Sequence, residues 1–222
     1  TVNGNFIGGN WTNDASHNAT KLGGVSGTIS NPLGEGTVIK GRVYAGNLSS
    51  GFYEEQKDLI GTVKIVNTVV NGAQVGGWVV LAGGEAVGRV EDYVSFQLNS
   101  GRVGGSIYGG FEDSYIGGNV WIRLNAGTVG GSVYAGGASK RDWISEKGIK
   151  GNTYTYVNGT TVAGDVYAGG WENGVVEGLG VVQITGGSVS NVYGGGNGGS
   201  MGSSMISVHE GGVVNGNIYG GG

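Results

Sequence analysis

The residues of this chain that could do chemistry are its carboxylates and its aromatic rings, and they occur side by side. They adjoin at Phe52-Tyr53-Glu54, at Phe111-Glu112-Asp113 with Tyr115 close by, at Asp142-Trp143 and at Trp171-Glu172-Asn173. A ring face stacks on the apolar face of a sugar, while carboxylates and amides accept hydrogen bonds from its hydroxyls. Phe52, Tyr53, Phe111, Glu112, Tyr115, Trp143, Trp171 and Glu172 are therefore the candidate glycan or partner contacts. The plainer expectation is that these aromatics fold back over neighbouring rings as packing.

Paired acids stand at Glu54-Glu55, Glu91-Asp92 and Glu112-Asp113. Two carboxylates can cleave a polysaccharide as acid and base or nucleophile. These pairs fall in variable segments, where acids are ordinarily solvated loop charge, so no catalytic residue is expected. The two histidines, His17 and His209, lie at opposite ends of the chain, which argues against a Ser-His-Asp triad or a His-based metal site. The glycine-rich run at 194–199 lacks the Lys-Ser/Thr of a phosphate loop, and the glycine loops lack the aspartate of calcium-binding repeats. No cofactor and no metal are expected. Asn-x-Ser/Thr triplets occur at Asn10, Asn18, Asn47 and Asn158, unsurprisingly in a chain rich in all three residue types.

Composition explains how such residues must be held. Of 222 residues, 53 are glycine, one is proline and none is cysteine. A single proline excludes collagen, and the lack of cysteine excludes disulfides and thiolate metal sites. With 38% apolar and 13% charged residues the chain has the means to bury a core. A net charge of −4 argues against nucleic acid as partner. No apolar run approaches the roughly 20 residues of a membrane span, so no membrane insertion of this segment is expected.

A repeat organises the glycines. Val43-Tyr44-Ala45-Gly46, Ile107-Tyr108-Gly109-Gly110, Val133-Tyr134-Ala135-Gly136, Val166-Tyr167-Ala168-Gly169, Val192-Tyr193-Gly194-Gly195 and Ile218-Tyr219-Gly220-Gly221 are copies of one phrase. Phe6-Ile7 and Val80-Leu81 read as two further copies, with Ile7 and Leu81 in the Tyr position. On that reading successive copies are 37, 37, 27, 26, 33, 26 and 26 residues apart. Upstream of each phrase run short alternations such as Val120-Trp121-Ile122-Arg123-Leu124, and alternation with period two means strands. Asn71, Asn99, Asn125 and Asn158 follow these strands. Asparagine tolerates the left-handed backbone, so corners are expected there.

The resulting expectation is an all-β, right-handed parallel β-solenoid (β-helix) spanning 1–222. It would have about seven coils of 26–37 residues and three short strands per coil. Val and Ala of the phrase should face inward. Tyr shares its face with Arg42, Ser132, Asp165, Asn191 and Asn217, which cannot line a dry core, so the tyrosines should form an external ladder.

These Gly-x-Val-x-Gly-x-Val-Tyr-x-Gly-Gly copies without cysteine resemble the passenger regions of bacterial autotransporter surface adhesins. The resemblance covers the whole chain and rests on composition and architecture. It implies an extracellular or bacterial cell-surface location and a rigid stalk acting in adhesion or self-association. The partner would be a host or bacterial surface glycan or protein, or the chain itself through lateral or end-to-end contact. Both ends fall at equivalent points of the repeat, as in a fragment of a longer array. Two alternatives are an end-to-end stacked fibre subunit and a tailspike-like β-helix that binds or cleaves polysaccharide.

Overall fold

A computed structural model describes residues 1–9, 11–12, 27–49, 63–82, 89–110, 113–138 and 147–222. Among these residues there is no helix, and every pairing between strands is parallel. The protein is all-β. Two large sheets form, one of eight strands and one of fourteen.

The Val-Tyr phrase makes the eight-stranded sheet. Its strands are Phe6–Ile7, Val43–Tyr44, Val79–Val80, Ile107–Tyr108, Val133–Tyr134, Val166–Tyr167, Val192–Tyr193 and Ile218–Tyr219. Each pairs with the next copy in the chain, residue for residue. One copy is displaced from the expected alignment. Val80, not Leu81, stands between Tyr44 and Tyr108, which changes two spacings to 36 and 28 residues. The reason is burial: Leu81 belongs to the main core, whereas Val80 lies in a separate cluster with Tyr44 and Tyr108.

The upstream alternations make the larger sheet. Strand Val120–Leu124 lies between Arg89–Val103 and Thr153–Val157, and the latter pairs on to Val175–Ile184. Inward residues meet their equivalents, so Leu98, Leu124, Val157 and Ile184 form one buried column. Phe96, Ile122, Thr155 and Val182 form another. These columns join Val43, Val79, Ile107, Val133, Val166 and Val192 of the other sheet in one continuous core. Buried polar groups are mostly matched. Asn31 donates to the Ala45 carbonyl at 3.0 Å and to Thr68 Oγ1 at 3.1 Å, and Thr153 Oγ1 donates to the Ala168 carbonyl at 2.6 Å.

Two local expectations change. Strands Val63–Val75 and Arg89–Val103 run through the expected corners at Asn71 and Asn99, with register shifts there, so not every strand is short. The left-handed backbone at these corners belongs to Gly72 (φ 88°), Gly101 (φ 96°) and Gly127 (φ 89°), not to the asparagines. The asparagines serve a different purpose. Asn99 donates to Asn71 Oδ1, Asn125 to Asn99 Oδ1 and Asn158 to Asn125 Oδ1, each at 2.8 Å. Stacked amides satisfy one another because every one presents a donor and an acceptor at the same height.

Close approach of neighbouring strands explains part of the glycine content. A Cβ on Gly118 would sit 1.7 Å from the Asp92 carbonyl oxygen, whereas one on Gly34 would meet nothing within 4 Å. Gly118→Ala is therefore expected to destabilise the fold by about 3 kcal/mol, and Gly34→Ala to leave it within about 0.5 kcal/mol. Urea unfolding of both variants measures the difference.

Candidate functional site

The in-register pairing of the eight-stranded sheet stacks its tyrosines. Successive rings of Tyr108, Tyr134, Tyr167, Tyr193 and Tyr219 are 5.1, 4.8, 4.5 and 4.8 Å apart and parallel to within 9°. They project away from the main core, as the shared polar face implies.

The residue before each Val-Tyr pair links consecutive strands. Ser106 Oγ accepts from the Ser132 amide, Ser132 Oγ from the Asp165 amide, and Asp165 Oδ1 from the Asn191 amide. Asn191 Oδ1 in turn accepts from the Asn217 amide at 2.8 Å. This second ladder fixes the strand entrance and leaves Asp165 Oδ2 to accept the Tyr167 hydroxyl at 3.2 Å.

Cover over the stack is uneven. Tyr44 is 0% exposed and Tyr108 5%, whereas Tyr219 is 45% exposed. At the covered end Arg42 lies 4.3 Å over the Trp78 ring and donates to the Tyr44 hydroxyl at 3.1 Å. Trp78 meets Tyr108 edge-on at 5.6 Å, and Trp171 tilts against Tyr108 and Tyr134 at 6.1 and 6.5 Å. The turn that carries Trp171 is strained, with left-handed backbone at Glu172 (φ 43°) and Asn173 (φ 59°). It is held by hydrogen bonds from their amides to the Asn197 and Gly198 carbonyls.

The candidates read from the sequence fare differently. Phe52, Tyr53, Phe111, Glu112 and Trp143 lie outside the described residues. Trp171 joins the aromatic cover, with Glu172 exposed beside it. Tyr115 belongs to the other sheet, its ring 4.5 Å beneath the Arg89 guanidinium. Of the paired acids, Glu91 and Asp92 are exposed, but they lie on strand Arg89–Val103 and not in a loop. Asp113 is not: it is fully buried with φ 55°, and its amide donates to the Ala138 carbonyl at 2.9 Å. A residue in that tight turn serves structure, which corrects its reading as solvated charge.

A second aromatic group was not singled out by the sequence reading. Trp121 and Tyr154 stack at 4.0 Å and 11°, Tyr156 lies 6.4 Å from both, and Arg123 sits 5.1 Å over Trp121 and 5.8 Å over Tyr156. The signal was present, since outward positions of two equivalent alternations, 33 residues apart, carry all four residues.

No described cluster of His, Cys, Asp or Glu could hold a metal. No helix among the described residues is long and apolar enough to cross a membrane. What the two surfaces offer chemically is stacking and hydrogen bonding. No family model matches the sequence, and comparison with curated proteins and with solved structures finds no significant match.

Burial raises the phenol of Tyr167, and the carboxylate of Asp165 adds to that rise. Burial likewise raises Tyr108, with a smaller push from Tyr134, and raises Tyr193, with a smaller push from Asp165. The unfolded phenols ionise near 10, so above that pH the unfolded state loses protons that the folded state keeps. Stability contributed by these groups is complete below pH 10 and declines as pH rises beyond it. Alkaline titration at 295 nm should show a class of late-titrating tyrosines, and thermal unfolding at pH 9 and pH 11 should show the loss.

Proposed function

We propose that this chain is a right-handed β-solenoid of about seven coils that acts, without catalysis, as a rigid adhesive segment of an extracellular bacterial surface protein. The observation that carries the coil is the pairing offset. In both sheets a strand pairs with the equivalent strand 24 to 37 residues later, always parallel and mostly in register. Parallel strands joined by crossovers wind right-handed almost without exception. Amide, hydroxyl and tyrosine ladders then tie each coil to the next, which makes a scaffold that holds its surface residues at fixed positions.

A reading without catalysis is supported by three of the described acids, whose carboxyl groups or positions serve the fold. Asp165 accepts hydrogen bonds from the following coil, Glu177 pairs with Lys150, and Asp113 is buried in a turn. Adhesion is supported by the two aromatic surfaces and by the resemblance to surface adhesins. A rigid framework carrying outward aromatic groups is suited to repeated weak contacts, each adding avidity.

Two measurements test this reading. The chain has no cysteine, so paired substitutions report geometry cleanly. Thr128 and Thr161 are partners on adjacent coils, and Ser188 lies one coil further. Thr128→Cys with Thr161→Cys should oxidise to a disulfide, and Thr128→Cys with Ser188→Cys should stay reduced. Equal oxidation of both pairs would sink the coil. Beads coated with the chain should adhere to cells or to one another, and antibodies against it should label intact source cells. Inert beads and unlabelled cells would sink the adhesive role.

A further inference from the structure

We infer that the outward face formed by Trp121, Arg123, Tyr154 and Tyr156 binds an acidic polysaccharide. This goes beyond the adhesive reading, because it names a site and a ligand class that stand or fall by themselves.

The register sets two outward rows across this face. Ser95, Trp121, Tyr154 and Val181 occupy one, and Gln97, Arg123, Tyr156 and Gln183 the other. Neither row contains a carboxylate, although the protein carries 16 acidic residues and a net charge of −4. The single cation, Arg123, rests on aromatic rings and has no carboxylate partner among the described residues. A guanidinium held over ring faces keeps its fork of donors available for an incoming carboxylate.

Other donors surround it. The Trp121 indole N–H and the Tyr156 hydroxyl have no hydrogen-bond partner among the described residues, and the Tyr154 hydroxyl accepts from Asn152 at 2.9 Å while its own proton stays available. The Tyr154 and Tyr156 rings are parallel within 2° and 6.4 Å apart. The next strand sets Val181, which is buried, and Gln183 opposite them, and both rings are partly exposed, so they form a low wall at the surface. A sugar ring brings an apolar C–H face to such a wall and hydroxyls to the flanking amides, and its carboxylate reaches Arg123.

Rival ligands fit less well. Strands Val120–Leu124 and Thr153–Val157 are paired on both sides, so an extended peptide finds no free backbone edge to join. Nucleic acid draws its affinity from several phosphate contacts, whereas a sugar stacked on the rings needs Arg123 for one carboxylate only.

The test is calorimetric titration of the purified chain with hexagalacturonic acid and with its fully methyl-esterified form. The acid should bind, and it should bind at least tenfold more tightly than the ester, with the difference shrinking as salt rises. Arg123→Gln should remove that preference, Arg123→Lys should keep part of it, and Trp121→Ala should abolish binding. Near-ultraviolet circular dichroism establishes that each variant keeps its fold. Three results would each overturn the proposal: no binding of the acid, equal binding of acid and ester, or an Arg123→Gln variant that binds like the parent. Displacement of the hexasaccharide by an equal concentration of hexaglutamate would also overturn it, in favour of an acidic peptide. None of these results bears on the cysteine-pair geometry, so the coil is judged independently.

Discussion

Parallel pairing of each strand with its own equivalent, residue opposite residue, is the constraint from which most of this structure follows. Whatever occupies a position must tolerate a near-copy of itself about 4.8 Å above and below. Valine on valine and leucine on leucine tolerate it inside, where equal shapes fill equal slices of core. Tyrosine on tyrosine and asparagine on asparagine tolerate it outside, because flat rings stack and amides carry both donor and acceptor. A charge would meet its like, and that is one physical reason so few charges sit in the ladder positions. Asp165 shows the exception's terms: its neighbours Ser132 and Asn191 are neutral, and both engage it by hydrogen bonds.

The same constraint made much of the fold legible in the sequence. The recurring Val-Tyr phrase located the strands of the smaller sheet, and its alternation separated inward Val from outward Tyr. Errors arose where a repeat departs from its own pattern. Val80-Leu81-Ala82-Gly83-Gly84 mimics the phrase so closely that the alignment slips by one residue, and only the core's demand for Leu81 resolves it. The asparagines were located correctly and explained wrongly, since their position is visible in the sequence while their partners are 26 to 33 residues distant.

Surface chemistry was harder to read. Adjacent aromatic and acidic residues draw attention because they are neighbours in the chain, yet in this fold the neighbours that count lie on paired strands. Trp121 and Tyr154 touch because their strands pair, not because their sequences adjoin. Asp113 likewise resembles a solvated charge beside Glu112 until the backbone turns it inward. Where long segments intervene between copies, the period alone gives no account of what those segments cover.

The hydrogen bonds between paired strands also have a mechanical meaning. They run along the direction in which strands are stacked, roughly across the strands themselves. Tension applied along that direction falls first on the edge strands of the stack, and does not load all strands in shear at once. In the proposed coil such a stack would yield by peeling, one repeat after another, each releasing 26 to 37 residues of slack. A chain stacked in this way would lengthen in steps under a sudden pull, with the strands still paired serving as templates for its return.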